Sequence, residues 1–96
     1  MKTHELKILP QYFEDIVFGK KNFEIRKDDR GFSVGDKLVL KEWDNGEYSG
    51  RQVDRYVSYI HHGCGEFGIS PDYCIMSLEK RCSDCISPFV RIAKSS

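Results

Sequence analysis

The stretch PQYFEDIVFGKKNFEIRK, residues 10–27, decides the fold class. Pro10 suits the first turn of a helix, where its missing N–H would be unpaired anyway. Phe13, Ile16 and Val17 then fall at i, i+3 and i+4, with Glu14 and Asp15 on the other side, the spacing of an amphipathic helix over Pro10 to Phe18. Gly19 ends it, as a left-handed C-terminal glycine does. From Asn22 to Lys27 the period changes to two: Phe23 and Ile25 point one way, and Asn22, Glu24 and Arg26 the other.

Outward from this stretch the chain reads as strands. His4 to Leu9 alternates loosely and is closed by Pro10. After the polar run Asp28-Asp29-Arg30-Gly31, the turn Val34-Gly35-Asp36 feeds a strand from Lys37 to Trp43. Asp44-Asn45-Gly46 is a hairpin signal, with a loop expected to exceed two residues. Gly50 to Ile60 is rich in β-formers, with Val53, Val57 and Tyr59 on one parity. A glycine-rich connection, His61 to Asp72, leads to the apolar run Tyr73 to Leu78, expected to be a buried strand. Phe89 to Ala93 reads as a last edge strand, before a frayed end. One early helix with hairpin-type links excludes a doubly wound parallel sheet. The expected fold is α+β: a small, mainly antiparallel curled sheet or open β-barrel with one principal helix, in a single domain over residues 1–96.

The 15 basic and 15 acidic residues cancel, so the chain lacks the global field of a protein that coats nucleic acid. A local patch stands out between Lys20 and Arg30, with five basic and three acidic residues. No apolar run approaches the ~20 residues of a membrane-spanning helix. The first residues enter a strand pattern directly, without the apolar segment of a secretory signal. The expected setting is therefore the cytoplasm, with no membrane partner, where Cys64, Cys74, Cys82 and Cys85 would be reduced thiols.

Chemistry concentrates at Lys21, Glu24 and Arg26. Glu24 and Arg26 are two apart on a strand and share a face; Lys21 joins them only if it still belongs to the turn after the helix. A carboxylate between two cations can orient a polar ligand, or the cations can hold a phosphate while the carboxylate takes a proton. Alternating charges on a strand are more commonly a solvated face. Tyr12, Ser33 and Trp43 are possible neighbours of such a site, and Trp43 could stack a base.

The pattern helix-Gly19-x-Lys21-x-x-Glu24-x-Arg26, followed by the Val-Gly-Asp turn into an apolar strand, resembles the signature of the ASCH domain superfamily. His4 to Pro10, Tyr12-Phe13 and the segment from Gly19 to Trp43 are similar to an uncharacterised subfamily of small bacterial and phage proteins within it. The resemblance covers about residues 4–79 and leaves 80–96 as a C-terminal extension. It implies a PUA-like fold, a small β-barrel with a cleft beside the first helix, and binding of RNA or a nucleotide-like ligand without a cofactor. Some relatives are enzymes. One branch, which removes acyl groups from modified cytidine, uses a Lys, a Thr and a Glu; Lys21 matches the Lys, Glu24 stands where the Thr belongs, and Glu79 is the candidate for the later carboxylate. Other relatives resemble ribonucleases. As a hydrolase, the chain would use Lys21 to stabilise an oxyanion or phosphate, Glu24 as general base and Arg26 as a clamp. Binding without catalysis is the leading expectation, and hydrolysis by these residues the alternative.

A rival reading comes from Cys82-Ser83-Asp84-Cys85, the spacing of half a zinc site, to which Cys64, Cys74, His61 and His62 could add ligands in a zinc-stabilised interaction module. Against it, Cys74 shares parity with Met76 and Leu78 and reads as a buried small hydrophobe, so no metal is expected.

Overall fold

A computed structural model of the chain describes residues 1–63 and 65–81. Within these, β1 (Thr3–Ile8) leads into α1 (Pro10–Val17), β2 (Phe23–Lys27), β3 (Lys37–Asp44), β4 (Glu47–His62), a short 3-10 turn (Glu66–Gly68) and β5 (Tyr73–Glu79). The strands form one curled sheet in the order β1-β3-β4-β5-β2, a half-barrel with α1 as the single α-helix among the described residues. The β3–β4, β4–β5 and β5–β2 pairs are antiparallel, and β1 lies parallel to β3. The α+β class and the mainly antiparallel curl are as expected from the sequence. The parallel pair arises because α1 and β2 intervene between β1 and β3, so the chain returns to β1 by a crossover.

The core follows the alternation of β1, β3 and β5. Leu6, Ile8, Leu38, Leu40, Met76 and Cys74 point inward and meet Phe13 and Ile16 of α1. Cys74 is a core side chain, as its parity predicts, and burial pushes its thiol up, with the Asp28 charge adding to the effect. It is therefore inert rather than a nucleophile. No helix among the described residues is long and apolar enough to cross a membrane. The expected edge strand Phe89 to Ala93 and the pair Cys82 and Cys85 lie outside the described residues, as does Cys64.

Three sequence expectations are corrected by β4. Asp44 pairs with Glu47, so the hairpin loop is the two-residue Asn45-Gly46 rather than a longer one. Both residues have positive φ, 55° and 88°, the primed turn whose twist matches its strands. Farther on, Val57 is fully buried but Tyr59 is 62 % exposed, although they share parity. A register shift between Val57 and Tyr59 inserts one residue, reverses the faces and sends Ile60 toward the core instead. β4 also continues through His61 and His62, which the sequence reading places in the connection.

Two ionic clusters tie distant segments together. The carboxylate of Asp36, 2 % exposed, accepts the Lys2 N–H, the Ser33 N–H and the His4 ring nitrogen at 2.9–3.0 Å. The other joins α1 to the β3–β4 hairpin: Arg51 forks onto both oxygens of buried Glu42 at 2.9 and 2.8 Å and reaches Glu14 of α1 at 2.8 Å. The Arg51 and Ser49 hydrogen bonds, opposed by burial, hold the Glu42 carboxyl at about 2, below the ordinary 4.5. Its folded value is depressed, so its stabilisation is full above pH 4.5 and is lost as pH falls toward 2. With half-exposed Arg51 screened by solvent, the contribution is roughly 1–2 kcal/mol. Glu42→Gln is expected to lower neutral-pH stability by that amount and to flatten its acid dependence between these limits. Urea midpoints across the acid range check this; an unchanged pH slope would refute it.

Candidate functional site

The end of α1 delivers Lys21. Gly19 adopts φ +77°, and the Gly19 and Lys20 N–H groups bond the carbonyls of Ile16 and Asp15 at 3.1 and 2.8 Å, a Schellman closure. The Lys21 N–H joins the same Asp15 carbonyl at 3.0 Å, which pins the backbone of Lys21 in the turn before β2 begins. Lys21 thus escapes the strand parity that would turn it away from Glu24 and Arg26. Gly19→Ala forces a side chain into the left-handed region at a cost of ~1–2 kcal/mol. A lowered melting temperature with the fold retained is the expected readout, and an unchanged one would mean the turn is not held this way.

β2 then presents its charged face inward. Glu24 pairs with Met76 and Arg26 with Cys74, so all four side chains lie on the core side of the sheet. Glu24 is only 4 % exposed, whereas Phe23 and Ile25 are 42 % and 53 % exposed on the outer face. The alternation is as read, but the charged parity is not a solvated face. Burying an isolated carboxylate would cost several kcal/mol, and here two cations offset it. Lys21 Nζ donates to Glu24 Oε1 at 2.8 Å, and Arg26 Nε to Oε2 at 2.7 Å. The Lys21 ammonium also sits 5.3 and 5.1 Å from the ring centres of Tyr12 and Phe23, within cation–π range.

These residues line an open cleft of about 600 Å³ between the free edges of β1 and β2. Its other walls are Lys7, Ile8 and Leu9 at the end of β1, Tyr12 on α1, Lys27, and Tyr73 at the start of β5. The bonds Leu78 N–H to Asn22 carbonyl and Asp28 N–H to Asp72 carbonyl set the β2–β5 ladder on even-numbered β2 residues. The N–H and C=O groups of Phe23, Ile25 and Lys27 therefore point to the open edge, toward the cleft. Across the seam, Arg26 Nη2 donates to the Lys7 carbonyl at 2.5 Å and Arg30 Nη1 to the Glu5 carbonyl at 2.9 Å. Two arginines thus span the seam between two strands that no ladder joins.

Lys21, Glu24, Arg26 and Tyr12 are brought together. Trp43 is not a cleft wall: it lies on β3 with the Lys7 ammonium 4.0 Å over its ring and the Tyr48 ring packed T-shaped against it at 4.8 Å. Ser33 belongs to the Asp36 turn. Glu79 ends β5, paired with Arg81 at 3.2 Å, and does not line the cleft. His62 bonds Asp28 at 2.9 Å. No group of three or more His, Cys, Asp or Glu side chains among the described residues is arranged to hold a metal ion. Lys7, Lys27 and Tyr73 were not singled out by sequence; the basic run from Lys20 to Arg30 was the one signal that included Lys27.

Fold and site together define a small α+β half-barrel with a basic, aromatic-rimmed cleft at its seam. Residues 3–78 match the family described as "Domain of unknown function (DUF3850)", and the chain belongs to that family. Over 59 residues it is 42 % identical to the "Uncharacterized 12.9 kDa protein in GpA 3'region" of Escherichia phage P2, an alignment that covers 62 % of this chain and 54 % of that protein. The chain thus spans about half the length of that phage relative.

Proposed function

We propose that the seam cleft binds RNA or a nucleotide, as an ASCH-type, PUA-like domain acting in the cytoplasm. The observation that carries this reading is Glu24 fixed between Lys21 and Arg26 in a cleft with aromatic rims and further lysines. Tyr12, Phe23 and Tyr73 offer ring surface to a base, and Lys7, Lys21, Lys27 and Arg26 offer charge to a phosphate. The cleft volume lies within the usual range for a small-molecule site. Both oxygens of Glu24 are engaged by cations, which favours binding over general-base catalysis.

Lys21→Ala and Arg26→Ala are expected to weaken binding of a short single-stranded RNA by about ten- to a hundredfold, the loss of one charge-assisted contact. Fluorescence anisotropy with fold checked by circular dichroism measures this. The salt dependence should be shallow, because one small patch neutralises few phosphates. Unchanged affinity in both folded variants would remove the cleft as the site.

A further inference from the structure

Next to the cleft, and sharing Arg26 and Lys27 with it, lies a second cavity of about 160 Å³. Its remaining walls are Leu6, Asp29, Arg30 and Phe32. We propose that this small cavity is an anion subsite that holds a phosphate group of the ligand seated in the cleft. The proposal rests on the nucleotide-binding reading and narrows it: the ligand is a phosphate monoester or diester, not a free base or nucleoside.

Three features support the subsite. Three cations face it against the single carboxylate of Asp29. Two of them are held in place beforehand, because Arg26 and Arg30 are anchored on the Lys7 and Glu5 carbonyls across the seam. Arg26, anchored through Nε and Nη2, keeps Nη1 without a hydrogen-bond partner among the described residues, and Arg30, anchored through Nη1 alone, keeps Nε and Nη2. The Arg30 guanidinium, fixed in this way, loses little freedom when its Nε and Nη2 take a pair of oxygens, and Arg26 Nη1 adds a single donor. Two core side chains, Leu6 and Phe32, complete the lining beside the charges. The volume is below the range of pockets that accept a drug-sized molecule, so it admits a compact group only.

The test uses the full chain, isotope-labelled for NMR, titrated separately with inorganic phosphate and with a short single-stranded RNA. Phosphate should perturb the Arg30 and Phe32 amides saturably while leaving Tyr12 unmoved; RNA should perturb both regions. Arg30→Gln should abolish the phosphate response, weaken RNA binding at least fivefold and reduce the salt slope by about one. Arg30 also ties the seam, so Lys27→Gln provides a second variant: that side chain makes no hydrogen bond among the described residues, and its loss should weaken RNA binding two- to fivefold without altering the melting temperature. RNA that perturbs Tyr12 and Phe23 with an affinity unchanged by Arg30→Gln would overturn the subsite and leave the cleft reading intact. Phosphate responses at Arg30 and Phe32 without any RNA response in the cleft would overturn the cleft reading and, with it, the assignment of the subsite to a nucleotide's phosphate, leaving an inorganic-anion site only. Unsaturable shifts spread over surface lysines would also overturn the subsite.

Discussion

Asp36→Ala is expected to destabilise the protein by about 3–5 kcal/mol, because it leaves three donors without their shared acceptor at roughly 1–3 kcal/mol each. It strands the Lys2 N–H, the Ser33 N–H and the His4 ring nitrogen at once, between the first strand and the turn that opens β3. For a chain of this size the melting temperature should fall on the order of 20 °C. Asp36→Asn keeps an acceptor oxygen and should lose less. Burial alone would raise the Asp36 carboxyl, but the Lys2 N–H, His4 and the Ser33 N–H outweigh it and the net shift is downward. A lowered folded value means that its stabilisation is full above the ordinary 3.8 and disappears as pH falls through the depressed value. Thermal melts of both variants at neutral and acid pH measure the effect. An Asp36→Ala melting point within about 3 °C of the parent would show that the cluster does not hold the β1–β3 pair.

Glu24→Ala is the second large effect expected. The substitution leaves Lys21 and Arg26, with side chains 17 % and 26 % exposed, facing one another without their shared carboxylate. Because both cations keep some access to water, the cost should lie below that of a fully buried pair, at roughly 2–3 kcal/mol. Coupling energies for Glu24 with Lys21 and with Arg26, from double-mutant cycles in urea, should each reach about 1 kcal/mol or more. Glu24→Gln keeps the shape and should recover part of the loss. It also separates a binder from a hydrolase: a binder retains RNA with modest change, whereas a hydrolase that uses Glu24 as base would lose turnover by about 10²–10⁴ while retaining ligand. Stability unchanged by Glu24→Ala would mean that the carboxylate is in effect solvated.

Much of the fold was legible because its signals are local. Pro10, the i, i+3, i+4 spacing of Phe13, Ile16 and Val17, and Gly19 bound the helix within a residue, since each acts within one or two turns of chain. The strands β1, β2, β3 and β5 appear where the sequence pattern places them, β4 overlaps its expected span but runs past it at both ends, and Asn45-Gly46 turns where a hairpin signal stands. The length of that loop and the face of Tyr59 were misread. A two-residue turn and a register shift depend on how the partner strand aligns, which spacing along one strand does not report.

The candidate site divides in the same way. Sequence by itself determined that Glu24 and Arg26 share one face of a strand and that Cys74 belongs with the core, and it left open whether Lys21 stands in the strand or in the turn after the helix. Only the tertiary structure decided that the charged face of β2 turns inward, because that depends on pairing with Met76 and Cys74 some fifty residues away. It alone brought Lys7 and Tyr73 to the cleft, set Trp43 aside under Lys7, and joined His4 to Asp36 and Glu42 to Arg51. The physical reason is that period-two alternation defines two faces without saying which is buried. A buried carboxylate is tolerated only where its cations arrive, and their arrival is a property of three dimensions.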